Sequence, residues 1–195
     1  MARRGLRVVA GSAGGLRLTA APTTRPTTDR VREALFSALG ADVVEDASVL
    51  DLYAGSGALG IEAVSRGAAS AVLVDHDPGA VDACRSNIVT TKLENRVRVV
   101  QIDVRAFLRS GPPAEAPFDL VCCDPPYDID AAELGGVLVG LAAPGWLASE
   151  GRVVVEGPAR GAGPRPEAWT VAWERKYGDT LVSVLRIPPR PDEHR

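Results

Sequence analysis

The chain has 195 residues, of which 46% are hydrophobic and 24% charged, and carries a formal net charge of −3 at neutral pH. These proportions are those of a soluble globular protein with one sizeable core and room for a small appendage; no apolar run reaches membrane-spanning length. Met1-Ala2-Arg3-Arg4 leads into no signal-peptide hydrophobic segment, and Cys84, Cys122 and Cys123 lack disulfide or metal-ligand spacing, so a reduced, cytoplasmic protein is expected.

The charge is unevenly placed. Residues 1–35 hold seven arginines (3, 4, 7, 17, 25, 30 and 32) against Asp29 and Glu33, a local excess of +5 that leaves −8 on the remainder. A basic front on an acidic body suits a polyanionic partner, although a solvated basic arm with no ligand has the same composition.

In chain order, Leu6 to Ala10 and Leu16 to Ala20 read as two short strands around the turn Gly11-Ser12-Ala13-Gly14-Gly15. The polar stretch Thr23 to Arg30 then starts a helix, capped by Thr27 or Thr28. Val31, Ala34, Leu35, Ala38 and Leu39 follow at helical spacing, and Gly40 is a plausible stop. From Ala47 onward strands and helices alternate. Strands are expected over Val49 to Tyr53, Ala71 to Val74, Val97 to Ile102, Phe118 to Cys123 and Val153 to Glu156. Helices are expected over Ala58 to Ser65, Pro78 to roughly Leu93, Val104 to Arg109 and Ala131 to Leu141. Gly157 to Pro166 is loop-like, and Trp169 to Arg175 with Thr180 to Ile187 forms an antiparallel hairpin through Tyr177-Gly178-Asp179. Pro188 to Arg195 reads as a disordered tail.

This order implies a mostly parallel seven-stranded sheet with helices on both faces and a terminal antiparallel hairpin, joined by right-handed crossovers. Residues 1–40 are expected to form a basic hairpin and helix extension, 41–190 the α/β domain and 191–195 a tail.

The chemistry concentrates after the strand that begins at Phe118, whose run Leu120 to Cys123 is apolar on both faces as a central parallel strand should be. It ends in Asp124-Pro125-Pro126-Tyr127. Two prolines fix φ and remove two donors, so the chain leaves the sheet rigid and extended. That geometry offers the Asp124 carboxylate, nearby carbonyls and an aromatic ring to one point, which suits a flat base whose exocyclic NH2 must be held.

Upstream, Asp51-Leu52-Tyr53-Ala54-Gly55-Ser56-Gly57-Ala58-Leu59-Gly60 spans a strand-to-helix turn, where glycines permit close backbone approach to a ligand. Gly55, Gly57 and Gly60 alone also fit a nicotinamide fingerprint. Asp75 ends the second strand and is placed to accept from ribose hydroxyls; Asp77 is the alternative, or the cap of the helix at Pro78. His76 lies between them, near an adenine site or simply exposed. Asp103 ends the third strand, either at the adenine amino group or as a helix cap.

Taken together, Asp51 to Gly60 resembles motif I, and D-P-P-Y the signature, of class I, Rossmann-like, S-adenosylmethionine-dependent amino methyltransferases. Arg25-Pro26-Thr27-Thr28-Asp29-Arg30-Val31-Arg32-Glu33-Ala34-Leu35-Phe36, the Gly11 to Leu18 region, Cys123 to Tyr127 and the strand pair near Glu174 to Arg186 narrow the resemblance. They are similar, in the same order, to the RsmD family of bacterial 16S rRNA (guanine-N2)-methyltransferases. The resemblance implies methyl transfer from S-adenosylmethionine to N2 of guanine 966, on an assembled or partly assembled small subunit, by a monomer that needs no metal. It places Asp124, Pro125, Pro126 and Tyr127 at the catalytic centre and Asp51, Tyr53, Gly55, Ser56, Gly57, Gly60, Asp75, His76 and Asp103 around the cofactor. RNA contacts fall to Arg3, Arg4, Arg7, Arg17, Arg25 and Arg30. Aspartate at position 75, where relatives often carry glutamate, departs from the pattern. The other readings are an amino methyltransferase acting on DNA adenine N6 or a protein glutamine, a noncatalytic nucleotide-binding module, and an NAD-dependent oxidoreductase.

Overall fold

In the computed structural model, residues 5–21, 28–159 and 166–188 are described. Arg3, Arg4, Arg25 and residues 189–195 of the expected C-terminal tail lie outside them. The elements run α1 (Asp29–Leu39), α2 (Ala41–Val44), β1 (Ser48–Leu52), α3 (Ala58–Ser65), β2 (Ser70–Asp75), α4 (Pro78–Thr91), β3 (Val97–Gln101), α5 (Val104–Arg109), β4 (Phe118–Cys123), α6 (Ala131–Leu141), β5 (Leu147–Pro158), β6 (Thr170–Tyr177) and β7 (Thr180–Arg186).

One seven-stranded sheet has the order β3-β2-β1-β4-β5-β7-β6. Strands β1 to β5 are parallel, while β7 runs antiparallel to both β5 and β6. This is the Rossmann-like arrangement expected of class I methyltransferases. Strand β1 pairs with β2 on one side and β4 on the other, so the strand order reverses there and opens a crevice beyond their carboxyl ends.

The sheet separates two cores. On one face, Val49, Leu120, Cys122 and Val154 pack under α1, α3 and α4; on the other, Leu50, Leu52, Val121, Cys123 and Val153 pack under α5 and α6. Strands buried on both faces are why their sequences read as continuous apolar runs. Thr28 caps α1 through the Val31 N–H, and Gly40 ends it with φ 83°. The short α2 was not evident in the sequence, since four residues carry no readable period.

The N-terminal segment departs from the two expected strands. Its two arms meet through an isolated bridge, Arg7 with Arg17, and three backbone hydrogen bonds, from Val8 N–H to the Leu16 carbonyl (3.0 Å), Gly15 N–H to the Val8 carbonyl (2.9 Å) and Leu18 N–H to the Leu6 carbonyl (2.9 Å), without forming regular strands. The backbone is also fastened to α3. Buried Glu62 accepts from the N–H of Val9 (2.7 Å) and Ala10 (3.0 Å), and the Ser65 hydroxyl accepts from Ala13 (2.9 Å) and donates to the Ala10 carbonyl (2.6 Å). With the N–H groups of Val9, Ala10, Ser12 and Ala13 turned to α3, the cross-arm ladder stays short. Gly11 is required at the contact: its φ is 82°, and a Cβ there would lie 1.8 Å from the Ser65 carbonyl oxygen. Leu6, Val8, Ala13 and Leu18 join the core around α3, whereas Leu16 is 41% exposed.

Candidate active site

A cleft of about 540 Å³ lies in the crevice beyond β1, β2 and β4. Its walls include Asp51, Tyr53, Gly55, Ser56, Asp75, His76 and Asp124 to Tyr127, with Ala58, Leu59 and Ala80 as apolar lining. A volume of this size suits a small-molecule cofactor.

Each acidic group is placed by local hydrogen bonds. Asp51, near the carboxyl end of β1, is 1% exposed and accepts from the Gly60 N–H at 2.9 Å. Burial pushes its carboxyl up to about 8; the Gly60 bond opposes that rise, while the nearby charges of Asp124 and Asp75 add to it. Asp75 accepts from Gly55 N–H through Oδ2 (2.8 Å) and from Asp77 N–H through Oδ1 (2.9 Å). It therefore holds the glycine loop as well as lining the cleft. Asp77 caps α4 through the Ala80 N–H (2.8 Å). His76 is exposed, with Nδ1 3.7 Å from Asp75.

The three glycines divide their work. Gly55 (φ 56°) lines the cleft; Gly57 (φ 73°) and Gly60 lie behind it. A Cβ at Gly60 would approach Leu73 to 2.3 Å and the Asp51 carboxylate to 3.2 Å, so the third glycine lets α3 pack on the sheet and grip Asp51. Tyr53, a non-glycine at φ 59°, is held in the left-handed region at the loop's entry. Asp103 is exposed, caps α5 through the Ala106 N–H (2.9 Å) and is not among the cleft-lining residues.

A second cleft of about 710 Å³ adjoins the first and shares Asp124 and Tyr127 with it. Arg30, Glu156, Arg175, Lys176, Tyr177 and Thr180 complete most of its rim. Tyr127, half exposed, meets the Thr180 hydroxyl at 2.6 Å, tying the proline loop to the β6–β7 turn. D-P-P-Y thus stands between the two spaces.

Several contributors had no sequence signal. Asn87, fully buried on α4, donates to the carbonyls of Ser56 (2.8 Å) and Thr19 (2.9 Å) and accepts from Thr19 N–H (2.7 Å). It pins the glycine loop to the N-terminal segment. Arg175 and Lys176 come from the far end of the chain.

Among the described arginines expected at RNA, Arg17 and Arg30 are exposed, and Arg7 is paired with Asp29 at 2.8 Å. Arg32, counted in the basic front, is fully buried. It donates to Asp29 (2.9 Å) and to the Arg7 carbonyl, so it is no part of an exposed surface.

Residues 6–186 match the family model described as conserved hypothetical protein 95. The "Ribosomal RNA small subunit methyltransferase D" of Escherichia coli K12 is 38% identical over 184 residues, covering 93% of this chain and 89% of that protein.

The chain belongs to this family, the RsmD family. A further RsmD relative of the same name, from Haemophilus influenzae, is 32% identical over 89% of both chains. The solved "Putative methyltransferase yhhF from Escherichia coli" superposes with a TM-score of 0.80 at 35% identity, covering 95% of this RsmD chain and 99% of that one. A distant structure of a protein complexed with SAH, at 14% identity and TM-score 0.65, shares the fold over 82% of this chain and 49% of that one.

Proposed function

We infer that this chain is a methyltransferase that uses S-adenosylmethionine to modify N2 of a guanine, nucleotide 966, in small-subunit ribosomal RNA, a cytoplasmic target. The carrying observation is the position of D-P-P-Y between two adjoining clefts, one acid-rimmed and glycine-floored, the other open and edged by Arg30, Arg175 and Lys176. Family membership and the relatives' names support the same reading.

The residues present fit the cofactor. Asp51 offers a buried carboxylate for its amine, Asp75 further lone pairs for ribose hydroxyls, and Ala58, Leu59 and Ala80 apolar surface. When bound, S-adenosylmethionine supplies an electrophilic methyl on a positively charged sulfur. On the acceptor side, guanine N2 is a weak nucleophile because its lone pair is delocalised into the ring. The Asp124 carboxylate and Pro125 carbonyl accept from its two protons and favour a more nucleophilic, pyramidal nitrogen. Asp124 also stabilises the positive charge arriving on nitrogen, and the fixed proline backbone supplies orientation. The half-exposed Tyr127 ring receives the unstacked base, worth about 1–3 kcal/mol. Arg17 and Arg30 with Arg175 and Lys176 meet phosphate, and a monomer suffices.

The test is transfer of labelled methyl to small subunits, naked ribosomal RNA and DNA, with nucleoside analysis of the product. N2-methylguanine in ribosomal RNA is expected from the wild type. Asp124→Ala should abolish it while leaving cofactor affinity nearly unchanged. Label appearing in adenine or in protein instead would refute the substrate assignment.

A further inference from the structure

We propose that Glu156 selects guanine by accepting the hydrogen bond of its N1–H beside Asp124. The proposal rests on the guanine-N2 reading above and adds to it the residue that excludes adenine.

Three observations carry it. Cys123 at the end of β4 pairs with Val155 on β5, so Asp124, just past β4, and Glu156, within β5, stand at the same level on neighbouring strands. Both side chains line the acceptor cleft, and Glu156 is only 5% exposed. Glu156 also sits near fully buried Arg32, whose charge burial disfavours and the fields of Asp29, Glu62 and Glu156 support.

Guanine presents adjacent donors, N1–H and the N2 amine, along one edge. Two carboxylates side by side match that pair, Asp124 taking an amine proton and Glu156 the ring proton. Adenine presents an unprotonated N1 there, so its lone pair would face a desolvated carboxylate with no proton between them. Two acceptors facing one another repel, and a site built to accept from a donor strongly rejects analogues that lack it. Asp124 alone does not discriminate in this way, since any exocyclic amine satisfies it.

The experiment uses single-turnover methylation of small subunits reconstituted with guanine or 2-aminopurine at the target. The analogue keeps the 2-amine but has an unprotonated N1. Wild type should prefer guanine by at least about tenfold. Glu156→Gln should lower the guanine rate by about tenfold or more, and raise the analogue-to-guanine ratio by a similar factor, because its amide can donate to N1. Cofactor affinity should be unchanged. A merely structural partner of Arg32 would lower both rates together and leave the ratio fixed, which overturns the proposal. If Glu156→Gln does not fold, Glu156→Asp keeps the charge and shortens the reach; it should lose guanine activity while staying folded, and wild-type activity in it overturns the proposal. Wild-type protein that methylates no guanine sinks both this proposal and the reading beneath it. Guanine methylation with an unmoved ratio in the variant sinks this one alone.

Discussion

Replacing Asp51 with asparagine should uncouple cofactor binding from proton release. Burial raises the Asp51 carboxyl to about 8, so at pH 6.5 it holds a proton in roughly 97% of molecules. An α-amino group, with a pKa of about 7.7–8.0, is already cationic at that pH and contributes little proton exchange of its own. Seating that cation against Asp51 favours the carboxylate, and the displaced proton must leave. Calorimetry in two buffers of different ionisation enthalpy should therefore show release of roughly 0.9 proton per cofactor bound at pH 6.5. Affinity should weaken by up to about tenfold for each pH unit below 8. Asp51→Asn should bind more weakly, without either proton dependence. The apo protein offers an independent check of sign. Folded Asp51 keeps its proton to about pH 8, while the unfolded side chain loses its own near its ordinary value of 3.8. The unfolded state thus binds fewer protons across that window, so Asp51 makes stability fall as pH rises from about 4 to about 8. The slope of stability against pH should be more negative in the wild type than in Asp51→Asn there. No buffer-dependent enthalpy for the wild type at pH 6.5 would refute the reasoning, because binding would then not require the ionised carboxylate.

Asp75→Ala should weaken cofactor binding by about tenfold or more without altering RNA affinity, since it removes both a cleft acceptor and the anchor of Gly55. Asp77→Ala should instead cost about 1 kcal/mol of stability through the lost cap of α4, with near-normal cofactor affinity; the reverse pattern in calorimetry and urea unfolding would exchange the two roles. Glu62→Ala removes the acceptor of two backbone N–H groups and the Arg66 partner at 2.6 Å, and should cost about 2–4 kcal/mol. A loss below about 1 kcal/mol in urea unfolding would mean that the Glu62 bonds add little to the other contacts holding the N-terminal segment.

The parallel sheet was legible because both-face burial writes itself as apolar runs, and β4 matched its expected bounds, Phe118–Cys123. Strand β5 was read as Val153 to Glu156 but extends over Leu147–Pro158, because its early residues are polar and partly exposed and carry no strand pattern. At the site, the sequence supplied the residue types and the order of the strand ends. It left Asp75 and Asp77 ambiguous, since a carboxylate two residues further on looks equally placed. Asp77 caps α4 through Ala80 yet lines the cleft as Asp75 does, so the ribose contact itself stays with the proposed function. Asn87 was illegible for a different reason. Its partners Thr19 and Ser56 are 68 and 31 residues away, and only the fold brings them together.

Charge was the feature that sequence order represented least well. The count of +5 over residues 1–35 treats its arginines as one exposed group, yet Arg32 is fully buried and Arg7 is paired with Asp29. Those two side chains help fold the segment: Arg32 donates to the Arg7 carbonyl and to Asp29, joining the segment before α1 to the helix itself. Arg30 remains at the acceptor cleft, and there it is joined by Arg175 and Lys176 from β6, nearly 150 residues later. The cationic edge of the cleft is thus assembled from both ends of the chain. Leu6, Val8 and Leu18 meanwhile share the core around α3, and Asn87 binds Thr19 and the glycine loop together. Removing residues 1–20 would therefore strip apolar contacts and the support of the cofactor loop along with the arginines. A loss of RNA binding after such a truncation would report folding first and electrostatics second. The exposed cations Arg17, Arg30, Arg175 and Lys176 separate those effects, because changing their charge leaves the core contacts of the segment in place.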